Sequence, residues 1–203
     1  MRPFSIYAFV TQDSPYQEVA EQYIIPSAKK LNLEVKILKA PNYHAWGKNV
    51  AQKPLMISKL LEEGIDNIVF LDCDATIDSY PHLFHDIPDE YDIAFHTLHW
   101  NTWYNRPKDT TTELLSGTLF LRNRPIVKKL VNEWYEKASD GSIWEQRILE
   151  KIISNYDLKT YDLPLSYCFI NVMPNGKEPY VKCDNVIFRH HQVSRIYKHR
   201  GEL

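Results

Sequence analysis

Through the first seventy residues buried-strand and amphipathic-helix patterns alternate, and that order leaves few folds open. "SIYAFVT" (5–11) reads as a buried strand. "SPYQEVAEQYIIPSAKKL" (14–31) reads as a helix with Ser14 at its cap and Pro15 at its first position. "LEVKILKA" (33–40) is a second strand, and an irregular stretch, "PNYHAWGKNVAQ", follows it. A helix from Lys53 to about Glu63 closes at Gly64, and "NIVFLD" is a third strand. This β-α-β-α-β opening predicts an α/β domain whose mainly parallel central sheet carries helices on both faces. In such sheets ligands bind beyond the carboxyl ends of the strands. Further strands are expected at 91–98 and 114–122, and helices at 125–139 and from about Trp144 to Ser154. A short strand precedes a basic tail. Segment 96–113 reads as a long loop of the kind that forms lids or acceptor sites. Its Trp100, Trp103 and Tyr104 suit stacking on a sugar or a base. With no repeat and no linker, one domain over 1–203 is expected.

The third strand ends in "DCD". Continued as a strand, Asp72 and Asp74 would lie side by side and Cys73 would point away. One Asp there needs no more than a turn to cap. Two like charges in phase repel, unless a cation or shared protons lie between them. At the ligand-binding end of this topology the pair points to a divalent metal. Mg²⁺ or Mn²⁺ fits, since either takes few protein carboxylates and completes its shell with phosphate oxygens.

Composition narrows the setting. With 24 basic and 26 acidic residues the net charge is −2, which gives no global attraction to nucleic acid. Three cysteines (Cys73, Cys168 and Cys183), odd in number and without paired spacing, suggest neither a disulfide framework nor a zinc site. No apolar run approaches the roughly 18 residues of a membrane span. The opening "MRPFSIYAFVTQ" is too short for a signal sequence. A soluble protein of a reducing cytoplasm, bacterial or in a virus-infected host, is expected.

Three blocks, in order, carry a resemblance: "KPLMISKLLEEGIDNIVFLDCDATI", "LLSGTLFLRNRPIVKKLVNEWYEKASDGSIWEQRIL" and "VIFRHHQVSRIYK". They resemble the D-x-D region, the N-S-G strand with its W-D-Q helix, and the C-terminal His and Q-A-S-R-x-x-K segment of nucleotide-diphospho-sugar glycosyltransferases of the GT-A fold. The blocks span nearly the whole chain. Two positions depart from the pattern: Leu115 stands where Asn is common, and Glu145 replaces Asp.

The resemblance implies a metal-dependent transfer of sugar from a nucleotide-diphosphate donor, a uridine diphosphate sugar, to an acceptor hydroxyl. It makes Asp74 the main metal ligand. Asp72 shares the metal or holds the ribose hydroxyls. His190 is the third ligand by alignment of Gln192, with His191 as the alternative. Thr11 and Tyr16 match a glycogenin-like pattern in which the ring stacks on uracil, though Tyr16 fits equally as a helix residue packed on the sheet. Trp46 and Asn49 match W-x-x-N, where Trp46 also suits a core. Lys53 matches a lysine near the donor phosphates, or is a solvated lysine. Ser116 and Gly117 of the S-G strand, and Ser194, Arg195 and Lys198 of the tail, complete the donor side. Together with Arg189 and Arg200 the tail either closes over the diphosphate or is solvated. Glu145 and Gln146 open a helix aimed at the acceptor and are the catalytic candidates. Glu145 as a base gives inversion; as a nucleophile or stabiliser it gives retention, which the most similar families favour. On this reading 1–74 is the nucleotide-binding half and 75–203 the acceptor half with a metal-binding tail.

The acceptor stays open between a glycan, a protein side chain, a small molecule and a modified base such as hydroxymethylcytosine in viral DNA. Clusters at 105–108 and 189–200 are the local basic features a DNA acceptor would need. Three rival readings remain. A nucleotidyltransferase shares the fold but usually has a Gly-rich loop after its first strand, and "VTQDSPY" has none. A nuclease or phosphatase would use the carboxylates without a sugar donor. A non-catalytic binder would hold the donor without turnover.

Overall fold

The run "IVFL" has no polar residue to turn toward water, so its strand must be covered on both faces. The computed structural model, which describes residues 2–200 apart from the side chains of 196 and 198–200, places it in the middle of a six-stranded sheet. β1 (Ser5–Thr11) pairs in parallel with β2 (Val35–Ala40) and β3 (Ile68–Leu71). β3 continues to β6 (Thr112–Leu121), then β5 (Ile93–His99) and β7 (Thr160–Asp162), for an order β2-β1-β3-β6-β5-β7. Only β6 runs against its neighbours. The expected α/β sheet, mainly parallel, is therefore present.

Strand alternation sorts the two cores. Tyr7, Ile68 and Phe70 face α4 (Gln52–Glu62), α7 (Pro125–Ala138) and α8 (Glu145–Ile152) through Ile57, Leu61, Leu130, Trp134 and Leu149. Ile6, Ala8, Val69 and Leu71 face α1 (Tyr16–Gln22), α2 (Ile24–Lys30) and α5 (Leu83–Asp86) through Val19, Ile24 and Phe84. Trp134 is fully buried, and its Nε1 donates to the Glu145 carbonyl at 2.8 Å, so α7 anchors the start of α8. Removing such a ring would cost about 3–5 kcal/mol.

Several elements differ from expectation. The helix over 14–31 is two helices that part at Tyr23 (φ −111°, ψ −75°). Pro26 has no N–H to give to residue 22, so one continuous helix would lose a bond there. Pro15, not Ser14, holds the cap position of α1; the Ser14 hydroxyl donates to the Thr11 carbonyl at 2.6 Å and accepts the Tyr16 amide only at a long 3.4 Å. The stretch read as irregular contains α3 (Trp46–Val50). The loop expected over 96–113 is shorter at both ends, because β5 and β6 stay paired out to His99 and Thr112, and the residues between hold α6 (Trp100–Trp103). Polar side chains on those strand ends hid the period-2 pattern.

A second sheet was not expected. β4 (Ala75–Ile77) pairs antiparallel with β9 (Phe188–His190), which pairs in parallel with β8 (Phe169–Ile170). It carries the chain's end back to residues 72–74, and α9 (Val193–Arg200) follows. No helix among the described residues is long and apolar enough to cross a membrane.

Candidate active site

The third strand stops at Leu71, and Asp72, Cys73 and Asp74 form a turn closed by the Ala75 amide donating to the Asp72 carbonyl at 3.0 Å. The two carboxylates thus meet through a turn and not through strand phase. The register Ala75↔His190 then sets His190 beside them. Asp72, Asp74 and His190 each offer a ligand atom, and these atoms lie within 4.8 Å of one another. Gly117 keeps the space between them open. A Cβ there would stand 3.1 Å from His190 Nδ1 and 3.3 Å from Asp72 Oδ2.

The oxygens and nitrogens are divided between support and vacancy. Asp74 Oδ2 accepts the Val193 amide at 2.8 Å, while Oδ1 is buried without a partner. His190 Nε2 meets Thr118 Oγ1 at 2.9 Å, while Nδ1 is buried without one. Burial and the Asp72 charge push the Asp74 carboxyl up to about 7. Burial pushes His190 down to about 4, so its imidazole is neutral with a lone pair to offer. Two unpartnered buried acceptors and a second carboxylate, from Asp72, around a space no side chain fills, fit a divalent cation.

Beside this triad, Lys53 in the first turn of α4 is fully enclosed. Its ammonium lies 2.8 Å from Asp72 Oδ1 and 3.1 Å from Glu145 Oε1, and donates to the Ser116 carbonyl and hydroxyl at 3.2 and 3.1 Å. Burial alone would lower its pKa, but the two carboxylates hold it above the ordinary lysine value. Burial likewise raises Glu145, against the pull of Lys53. Glu145 Oε2 is buried and without a partner. The lysine is therefore not solvated; it lines the cleft with its ammonium between two site carboxylates.

A cleft of about 1140 Å³, counting its open mouth, unites these groups. Thr11, Tyr16, Trp46, Asn49, Lys53, Asp72, Asp74, Ser116, Gly117, Glu145, Gln146, His190, Ser194 and Arg195 all line it, beyond the carboxyl ends of β1 and β3. The family model for nucleotide-diphospho-sugar transferases matches residues 9–189. The chain belongs to that family. Among solved structures its fold is similar to a glycosyltransferase involved in glycosylation of the major capsid of PBCV-1, at 10% identity with 98% of each chain covered and a TM-score of 0.64. It is also similar to mouse xyloside xylosyltransferase 1 in its apo form (11% identity, 95% of this chain and 98% of that one, TM-score 0.54). An active-site mutant of LgtC is a third (13%, 93% and 87%, TM-score 0.54). These neighbours are glycosyltransferases of the GT-A fold, and the chain is an enzyme of that class. No curated protein matches the sequence itself.

Within the transferase, Tyr16 is a cleft residue packed edge-on against Tyr197 at 6.0 Å. Its hydroxyl is held above the usual phenol range by burial, and by the Cys73 and Asp charges, against a hydrogen bond from Trp46. Asn49 is fixed by the Tyr43 amide (2.8 Å) and by Asn42 (2.9 Å). His191 turns away from the site, to Thr76 and Asn171 at 3.2 Å each and onto the Tyr23 ring at 4.5 Å. The Lys198 side chain, like that of Arg200, lies outside the described residues. The sequence reading missed Glu113, Thr118 and Cys168, whereas Trp103 and Tyr104, expected as stacking residues, line the cleft. Thr118 sits two residues beyond Ser116 on the same strand, and that spacing was the available signal.

Proposed function

We propose that the transferase moves a sugar from a uridine diphosphate donor to an acceptor hydroxyl, with Mn²⁺ or Mg²⁺ held by Asp72, Asp74 and His190. The observation that carries this reading is the pair of unpartnered buried atoms, Asp74 Oδ1 and His190 Nδ1, on two residues that together with Asp72 each offer a ligand atom within 4.8 Å of the others. Bound there, the cation supplies positive charge to the diphosphate as the sugar leaves. Residues 1–74 carry the nucleotide end, with the Tyr16 ring offered to uracil and Thr11, Trp46 and Asn49 along the same wall. Residues 75–203 carry the acceptor side, and Ser194 and Arg195 approach the donor from α9. Glu145 is the residue we assign to the reacting carbon. One oxygen is pinned by Lys53 and Ser116, and the other is left to stabilise positive charge on the sugar, an arrangement that goes with retention.

Among acceptors we place a glycan, protein or small-molecule hydroxyl ahead of a modified DNA base. Arg189 is paired with Asp78 at 2.7 Å, and Arg106 lies over the Trp100 and Tyr104 rings at 5.7 and 5.1 Å, so both already have intramolecular partners. The three unpaired cysteines favour a cytoplasmic setting.

Thermal melting with nucleotide and metal tests the reading. Uridine diphosphate with MnCl₂ should stabilise the protein by about 2.7 kcal/mol at a hundredfold excess over Kd, and more than either alone. Stabilisation by guanosine or cytidine diphosphate and not by the uridine form would defeat the base assignment. A nucleotide response indifferent to Mn²⁺ would defeat the metal assignment.

A further inference from the structure

Gln146 opens α8 next to Glu145 and is buried in the cleft wall. Its amide has two ends, and each meets a group of fixed polarity. The Ser116 backbone N–H, which can only donate, reaches Oε1 at 3.0 Å, and Ser116 Oγ lies 3.3 Å from the same oxygen. At the other end Nε2 donates to Glu113 Oε1 at 2.9 Å. Turned over, the amide would set N–H against N–H at Ser116 and oxygen against carboxylate at Glu113. Only one orientation satisfies both neighbours. Glu113 is itself held: Trp100 Nε1 donates to its Oε2 at 3.3 Å, and Arg147 Nη2 stands 3.8 Å from Oε1.

We propose that Glu113 is a positioning residue for sugar transfer, fixing the Gln146 amide so that it offers an N–H, and not its carbonyl, to the bound sugar. This rests on the transferase reading above. The carbonyl is taken by Ser116. The amide nitrogen has a second proton beyond the one given to Glu113. A sugar hydroxyl or ring oxygen is the group such a proton recognises. Gln146 is then a hydrogen-bond donor to substrate, and the acceptor atom left to the reacting carbon is Glu145 Oε2, the buried carboxylate oxygen without a partner. Two adjacent residues of one helix thus have opposite polarity toward the substrate, and Glu113, from β6, sets which is which.

An exchange of the pair separates this role from mere packing. Gln146→Glu places two carboxylates in contact and should lower the melting temperature. Adding Glu113→Gln restores a donor–acceptor match, since the amide at 113 can donate to the carboxylate at 146 and accept from Trp100. The double variant should therefore regain most of the lost melting temperature. Position 146 would still have no proton to give. Release of uridine diphosphate from UDP-glucose and UDP-galactose with Mn²⁺ should stay at least roughly tenfold below wild type in kcat, with KM changed less, as expected for one lost hydrogen bond. Recovery of kcat along with stability would overturn the donor role and leave the pair structural. A Gln146→Glu protein that melts as wild type would overturn the Glu113 contact itself. Wild-type protein that releases no uridine diphosphate from either sugar would count against the donor reading, and the melting cycle would still decide the amide's orientation.

Discussion

Asp74 divides its work between two oxygens. Oδ2 caps the helix that ends the described chain, through Val193, and Oδ1 is left buried without a partner, free for the proposed metal. Substitutions can separate the two. Asp74→Asn keeps one oxygen for the Val193 amide and turns an NH₂ to the metal side, where it cannot ligate. It also removes the repulsion from Asp72 that helps hold Asp74 near 7. The variant should melt at or above the metal-free wild type yet lose Mn²⁺ binding and uridine diphosphate release. Asp74→Ala loses both oxygens, and the missing cap alone should cost about 1 kcal/mol. Calorimetric Mn²⁺ titration and paired melts distinguish them. Wild-type Mn²⁺ affinity in Asp74→Asn would remove this residue from the ligand set.

Elements built on apolar runs were legible because burial leaves a pattern: "IVFL", "SIYAFVT" and the α7 stripe all stand where the sequence puts them. β4 and β9 were not. Each has three residues, and their pairing joins distant parts of the chain, so no local period marks it. His96 shows the same limit. It lies where the strand expected at 91–98 overlaps the loop expected at 96–113, beside a register shift between Ala94 and His96, and its Nδ1 meets the Leu163 carbonyl at 2.7 Å. That contact ties the segment after β7 to the hairpin. Burial lowers the His96 pKa, outweighing the Leu163 carbonyl and Asp162, which pull it up. The folded chain then binds fewer protons at this site than the unfolded one, whose imidazole titrates near about 6.5. Its stability contribution is full above that value and is lost as pH falls below it. Melting temperature should therefore drop between pH 7.5 and 5.5. His96→Gln, which can still donate to Leu163 without titrating, should drop less. Equal drops in the two proteins would show that His96 does not carry the effect.

At the scale of the whole molecule, the site depends on how the early and late parts of the chain are pressed together. Lys53, from α4, matched in sequence either a lysine near the donor phosphates or a solvated one, and the fold buries it between Asp72 and Glu145. That meeting needs α8 to lie close to α3 and α4, and a backbone contact between two glycines allows it. A Cβ on Gly47 would stand 2.1 Å from the Gly141 carbonyl oxygen, and one on Gly141 only 2.5 Å from the Lys48 amide nitrogen. Neither neighbour is a flexible side chain that could step aside. Across the same seam the Trp46 and Trp144 rings sit 6.4 Å apart at the cleft wall. Gly47→Ala should push the segment that leads into α8 away from α3. The crowding should cost about 1–3 kcal/mol and loosen the Lys53–Glu145 pair with it. Gly64→Ala is the control. Its φ of +81° disfavours a side chain, but nothing lies within 4 Å of the added carbon. It should lower stability by about 1 kcal/mol while leaving nucleotide binding alone. Uridine diphosphate titrations with Mn²⁺, followed by melting and by tryptophan fluorescence, separate the two. Gly47→Ala should lose affinity and shift the emission, and Gly64→Ala should do neither. If Gly47→Ala binds as tightly as Gly64→Ala, the glycine seam does not hold the two sides of the cleft in register.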